Sequence, residues 1–245
     1  MHVGPELSLE GCRNFRDLGG LRTATGASLR VRRVFRSDAL TSATVRDRQL
    51  LAATGLATVI DLRSEHERSV AGTYAADGVV VHHLPLGDLL GHEERWEAWR
   101  DPGYVAHRYF DLCINARDSI TEAFAVLTDP AAYPVVVHCS LGKDRTGVLV
   151  ALVLRAIGVP VGQIVDEYTL SRHGAGCLVD DLRAGLDDDQ WRALAPCLQA
   201  LTAADPATML RFLGRIDDEF GSITGYLRDL DIVTAIPYLG ANLLD

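Results

Sequence analysis

The run Val135-Val136-Val137-His138-Cys139-Ser140-Leu141-Gly142-Lys143-Asp144-Arg145-Thr146-Gly147 passes from β-branched residues through a short polar loop into an apolar stretch, 148–154. That order reads as a buried strand, a glycine-containing loop and a helix whose first turn begins near Arg145. A helix entered this way directs unpaired backbone N–H groups and the positive end of its dipole toward the loop, here above Cys139. A free thiol titrates near pH ~8.5, and helix N-termini with neighbouring cations draw such groups down to ~3.5–7.5. Lys143, Arg145 and the loop amides are therefore placed to stabilise a thiolate. The same donors suit a phosphoryl dianion, with Arg145 taking two oxygens in a fork and Lys143 acting as a point charge. Nucleophile and anion would share one loop.

A cysteine followed six positions later by arginine is a weak signal alone, and it occurs a second time as Cys177-Leu178-Val179-Asp180-Asp181-Leu182-Arg183. The second stretch carries two carboxylates and no glycine, so it would repel phosphate and could not wrap it. In the first stretch, Lys143 is the single lysine among 24 basic residues. In a chain that otherwise uses arginine for its basic residues, that choice points to a function.

The elements that must position this loop can be read on either side of it. Residues 29–35, 57–62, 79–84 and 134–138 read as strands, and 44–54 reads as a helix stopped by Gly55. Residues 104–115 and 118–127 carry apolar positions three and four apart, whereas 146–157 is apolar nearly all round, as a central buried helix would be. From Pro160 onward the pattern is almost wholly helical, with starts at Asp205-Pro206 and Ser222. The expected architecture is α/β: a central short, partly parallel sheet flanked by helices, with a helical C-terminal half, in a single domain over 1–245. Ligands of such sheets sit beyond the carboxyl ends of the strands, which puts the loop after His138 at the functional edge. The irregular segment 172–204, with Gly174, Gly176 and Asp187-Asp188-Asp189, is read either as a helical lid over a pocket or as a packed hairpin.

Composition narrows the classes. With 245 residues, 48% apolar and 23% charged, the chain can bury a sizeable core, and disordered or fibrous classes drop out. A net charge of −9 argues against a broad nucleic-acid-binding face. No apolar run approaches the ~20 residues of a membrane span. The first residues, Met1-His2-Val3-Gly4-Pro5-Glu6, lack a secretory signal pattern, so a cytoplasmic location is expected. Five cysteines without a Cys-x-x-Cys pair indicate reduced thiols rather than disulfides or zinc. His82 and His83, adjacent on a strand, face opposite ways and are read as ordinary residues. Trp96 and Trp99 are read as packing.

His138-Cys139-x-x-Gly142-Lys143-Asp144-Arg145-Thr146-Gly147 resembles the signature loop of the protein tyrosine phosphatase superfamily, in its bacterial tyrosine and dual-specificity branch typified by mycobacterial phosphatase B. Asn14-Phe15-Arg16-Asp17-Leu18-Gly19-Gly20, Phe35-Arg36-Ser37-Asp38 and Ile60-Asp61-Leu62-Arg63-Ser64 resemble further blocks of that branch, in the same order. The resemblance implies cofactor-free, two-step phosphoryl transfer. Cys139 would form a phosphocysteine, Arg145 would neutralise the phosphoryl oxygens, and Thr146 would ease departure of the sulfur. Ser140, Leu141, Gly142, Lys143 and Gly147 would line the substrate loop with Arg36 and Arg63, and His138 and Arg16 would support it. The Trp-Pro-Asp tripeptide that supplies the acid in many members is absent, which leaves Asp144 and Asp61 as candidates. Asp17 and Asp38 are expected to pair with nearby arginines.

The partner implied is a phosphorylated substrate: phosphotyrosine, phosphoserine or phosphothreonine, a phosphoinositide, or a small nucleotide or sugar phosphate. A phosphate-binding module without turnover and a rhodanese-like sulfur transferase share the strand-then-cradle plan. The Lys-Asp-Arg-Thr-Gly continuation behind Cys139 favours phosphate turnover over both. The oligomeric state is left open.

Overall fold

The computed structural model describes residues 7–87, 96–174, 179, 183 and 187–245. Five strands form one sheet in the order β1 (Arg16–Asp17), β2 (Val34–Ser37), β5 (Val135–His138), β3 (Thr58–Asp61), β4 (Val80–His83). β1 pairs antiparallel with β2, and the remaining pairings are parallel. β5, formed late in the chain, is thus inserted between β2 and β3 at the centre.

Alternation along these strands builds the core. Phe35, Val59 and Val136 enter one apolar cluster with Leu40, Leu51 and Tyr74, while Val34, Ile60, Val135 and Val137 enter the larger cluster on the opposite face. Burial on both faces is why the parallel strands read as continuous apolar runs. The helix α1 (Val45–Ala53) covers the first face. It opens on a capping box in which Thr44 and Asp47 exchange side-chain and backbone hydrogen bonds. α2 (Glu65–Ala71) follows β3 and opens on a second box, Ser64 with Glu67. α3 (Pro102–Asn115), α4 (Arg117–Thr128), α5 (Asp144–Ala156) and α6 (Val161–Thr169) cover the larger face. α5 is buried from Asp144 through Leu154, as the all-round apolar pattern predicts.

The C-terminal half continues with α7 (Asp188–Thr202), α8 (Pro206–Phe220), α9 (Ile223–Asp229) and α10 (Ala235–Leu243). The starts read from sequence are present: Asp205 accepts from the Ala207 amide ahead of α8, and Ser222 from the Gly225 amide ahead of α9. One strand is displaced. The run 29–35 was expected to pair throughout, yet only its end does, because Arg32 turns at φ 57° with its amide held by Asp17 Oδ2 at 2.7 Å. Leu29 makes just an isolated bridge to Leu244.

Residues 1–6, read for a signal, lie outside the described residues, as do residues 175–178, 180–182 and 184–186 of the lid candidate 172–204, and with them most of the second Cys-to-Arg stretch. The turn between α7 and α8 is described, and it is held by two elements: Lys143 Nζ, at the end of the loop after β5, donates to Ala203 O at 3.0 Å, and Arg172 Nη2, after α6, donates to Ala204 O at 3.3 Å. Trp99 is buried edge-on to Tyr104, a packing role; the Trp96 side chain lies outside the described residues. Among the described residues no helix is long and apolar enough to cross a membrane.

Candidate active site

Ser37 and Asp61, the last residues of β2 and β3, are both in register with His138 at the end of β5. Three loops therefore leave one edge of the sheet, and those after β2 and β5 run to helices on opposite faces. A crevice at the carboxyl edge is the consequence.

The loop 139–143 opens its amides into that crevice because its carbonyls are all held from outside. His138 O accepts from the Leu62 amide at 2.9 Å, Cys139 O lies 3.1 Å from His138 Nδ1, and Ser140 O accepts from the Ala39 amide at 3.1 Å. Asn14 Nδ2 donates to Leu141 O at 2.8 Å, and Arg36 Nη2 to Gly142 O at 2.5 Å. Lys143 O takes the first helical bond, from the Gly147 amide at 2.9 Å. With every carbonyl engaged this way, the amides of Ser140, Leu141, Gly142, Asp144 and Arg145 are left with no acceptor among the described residues. α5 also starts without a side-chain cap. Consecutive unpaired amides at a helix start form an anion-binding nest. Cys139, 2% exposed, lies at its base.

Gly142 makes the wrap possible. Its φ is +65°, and a Cβ there would sit 2.3 Å from Ser37 O, inside the backbone of the β2 loop. Gly147 is constrained in turn by Tyr168, whose ring would lie 3.1 Å from an added Cβ.

Arg145 reaches the same place from the first turn of α5. Its Nη1 and Nη2 are held end-on by Glu67 of α2, at 2.5 and 2.6 Å. Arg145 Nε is buried and has no partner among the described residues, so the side-on edge of the guanidinium is the one left for a phosphoryl group. Glu67 also accepts from Ser140 Oγ at 2.5 Å and from the Ser64 amide at 2.8 Å. Burial works to raise the Glu67 carboxyl, but Arg145, Ser140 and the Ser64 amide outweigh it and bring the group to about 2. Thr146 Oγ1, in the first turn of α5, is buried without a hydrogen-bond partner among the described residues.

The two acid candidates have different surroundings. Asp61 is buried, with Oδ1 2.9 Å from Arg63 Nε and Oδ2 2.7 Å from Arg63 Nη2. Burial would raise its carboxyl, yet the Arg63 hydrogen bonds and nearby His138 prevail and lower it, and Arg63 occupies both of its oxygens. Asp144 instead receives the Tyr109 hydroxyl at Oδ1, 2.6 Å away, with Lys143 Nζ 3.2 Å from the same oxygen. Burial pushes His138 below the usual imidazole range against the pull of Asp61, so its neutral ring props the loop.

Two expectations need correction. Arg36 and Arg63 were expected to line the substrate pocket, but both are buried and turned to other partners. Arg36, 0% exposed, sits beneath the loop with Nη1 2.5 Å from Glu167 Oε2, whereas Arg63 is spent on Asp61 and the Gly72 carbonyl. Alternation explains Arg36: it shares the strand face of Val34, which is covered by α5 and α6. Likewise, Asp17 accepts from the backbone amides of Gly19 and Arg32, and Asp38 from the amides of Arg13 and Asn14 and from the Ser37 hydroxyl, rather than pairing with an arginine side chain among the described residues. Arg16 bridges Glu167 and Asn14, the residue whose Nδ2 holds Leu141 O.

A family model described as "Tyrosine phosphatase family" matches residues 7–244. The chain belongs to this family. The "Triple specificity protein phosphatase PtpB" of Mycobacterium tuberculosis is 33% identical over 270 residues, covering 93% of this chain and 94% of the relative. A "Tyrosine-protein phosphatase" of Nostoc commune is 28% identical over 130 residues, 52% of this chain and 44% of that one. Among solved structures, the core catalytic domain of the PP-IP phosphatase SIW14 from S. cerevisiae has a TM-score of 0.40 at 16% identity, covering 67% of this chain and 78% of that one. The protein is a cysteine-dependent phosphatase.

Sequence reasoning did not single out Glu67, Glu167, Tyr109, Tyr168 or the individual role of Asn14 in this phosphatase. Glu67 had a local signal, the Ser64-x-x-Glu67 capping pattern, but the cap says nothing of Arg145. Changing Glu67→Gln removes the end-on clamp and presents N–H groups to Arg145. We expect kcat/KM for an aryl phosphate to fall roughly 10- to 100-fold through misorientation of the guanidinium, measured by steady-state phosphate release.

Proposed function

We propose that this phosphatase hydrolyses phosphomonoesters on proteins, at phosphotyrosine and at phosphoserine or phosphothreonine, and on phosphoinositides, through a phosphocysteine on Cys139. The observation that carries the reading is the loop whose carbonyls are all held from outside, leaving its amides turned inward around a cysteine and an arginine. The likeness to the triple specificity phosphatase over most of both chains supports the breadth of substrate.

In the first step Cys139 Sγ attacks phosphorus as the bond to the leaving oxygen breaks. Loop amides and the side-on edge of Arg145 hold the non-bridging oxygens through the transition state. Asp144 protonates the leaving oxygen. Water then attacks the phosphocysteine, its proton returns to Asp144, and Thr146 Oγ1 donates to the departing sulfur. Asp144 is favoured over Asp61 because Asp61 is clamped by Arg63, while Asp144 Oδ2 has no hydrogen bond among the described residues.

The test is inorganic phosphate release, with chelator present, from p-nitrophenyl phosphate, phosphotyrosine and phosphoserine peptides, a phosphoinositide and nucleotides. Asp144→Asn should lower turnover of the phosphoserine peptide by about 10²-fold or more, and of p-nitrophenyl phosphate far less, since its leaving group departs unprotonated. Preference for nucleotides over every protein or lipid phosphate would overturn the assigned substrate class.

A further inference from the structure

Tyr109 of α3, Tyr168 of α6 and Asp144 at the start of α5 form a hydrogen-bonded chain in the core beside the loop. Tyr109 OH donates to Asp144 Oδ1 at 2.6 Å, and the two tyrosine oxygens are 2.9 Å apart. Tyr109 is 0% exposed and Tyr168 1%. A phenol has one proton. Since Tyr109 gives its proton to Asp144, Tyr168 must donate to Tyr109, and the chain has one direction. Burial raises both phenols, with Asp144 adding to the effect, so neither ionises near neutral pH and each stays a donor. The rings are fixed as well: Tyr109 packs edge-on against Tyr168 and against Phe212 of α8.

Lys143 Nζ lies 3.2 Å from the same Oδ1. Two donors therefore converge on one carboxylate oxygen, while Oδ2 carries no hydrogen bond among the described residues. We propose that Tyr109, backed by Tyr168, is a positioning residue for proton transfer, holding Oδ1 of Asp144 so that the transferable proton sits on Oδ2. This rests on the reading of Asp144 as the acid. In the first step the P–O bond breaks, the S–P bond forms and the leaving oxygen takes the proton from Oδ2. In the second, water forms the new P–O bond, its proton goes to Oδ2 and the thiolate leaves.

A donor on a carboxylate favours its charged form, so loss of Tyr109 OH should move the alkaline limb of the pH–rate profile upward. The other groups acting on this cluster are Lys143 on Asp144, Arg145 through its attraction to Asp144, and Arg36 and Asp205 acting on Tyr168. All are unchanged in the variant.

The experiment compares pH profiles of kcat on phenyl phosphate for wild type, Tyr109→Phe, Tyr168→Phe, Asp144→Asn and the Tyr109→Phe/Asp144→Asn double variant, with folding checked by circular dichroism. The alkaline limb of Tyr109→Phe should move up by roughly one unit, that of Tyr168→Phe by less in the same direction, and Asp144→Asn should have no such limb. Adding Tyr109→Phe to Asp144→Asn should then leave the profile as it was. An alkaline limb kept by Asp144→Asn would overturn the acid assignment and the inference together. If Asp144→Asn loses the limb while folded Tyr109→Phe and Tyr168→Phe keep it at the wild-type pH, the inference fails alone.

Discussion

Replacing Cys139 with serine is expected to lower phosphate release by at least ~10³-fold on every substrate, the scale of losing a covalent nucleophile. A serine hydroxyl does not ionise near neutral pH, and a phosphoserine would not give up its phosphoryl group as readily as a phosphocysteine, whose leaving group is a thiolate. The cradle should survive the change. Its carbonyls are held by Leu62, Ala39, Asn14, Arg36 and His138, none of which depends on the thiol. Serine is close in size, so stability should change by about 1 kcal/mol or less. Calorimetry with inorganic phosphate on Cys139→Ser should therefore still register binding although turnover is gone. Retained turnover would eliminate the phosphocysteine route, and loss of both binding and fold would mean the cysteine is structural.

Glu167→Gln should produce the largest loss of stability. Glu167 is 6% exposed and joins two arginines, 2.7 Å from Arg16 Nε and 2.5 Å from Arg36 Nη1. Burial would raise its carboxyl, but Arg36 and Arg16 hold it below the usual range. A neutral side chain there leaves two guanidinium groups uncompensated beneath the loop. Breaking such a buried cluster costs about 3–5 kcal/mol, or a fall in Tm of roughly 6–20 °C for a chain of this size. Activity should fall too, because Arg36 would no longer be held where it supports the Gly142 carbonyl.

The sign of the pH dependence provides a second check. A carboxyl whose folded pKa lies below its unfolded value of 4.5 contributes stability that is present above that pH. The contribution is lost as pH falls through the folded value. Wild type and Glu167→Gln should differ most near neutrality and converge in acid. Thermal melts from pH 7 down to pH 3 would show it, and equal Tm values at neutral pH would refute the role assigned to Glu167.

What could be read from the sequence alone was whatever is encoded locally. The strand-loop-helix order around Cys139 follows from a β-branched run, a glycine and an apolar stretch in succession. The helix starts at Asp205 and Ser222 follow from side chains that bond amides two or three positions away. Such features depend on near neighbours, so the sequence carries them whole, and with them the expectation that Cys139 is the nucleophile and Arg145 the anion-binding arginine.

The fates of the other charged residues were not legible in that way. Glu67 meets Arg145 across 78 positions, Arg36 meets Glu167 across 131, and Tyr109 meets Asp144 across 35. These pairings exist because β5 enters between β2 and β3 and brings α2, α3 and α6 around one loop. Sequence shows that Arg36 and Arg63 are charged, but not which way they face or what awaits them there, and so both were assigned to substrate when they serve the loop and Asp61. By itself the sequence determined which groups stand together in the loop, because a thiol, an arginine and a glycine at a strand-to-helix passage are set by neighbouring residues. Only the tertiary structure decided which carboxylates hold the arginines and which one keeps an oxygen available for a proton, because a charged side chain's partner is chosen by sheet order and strand parity.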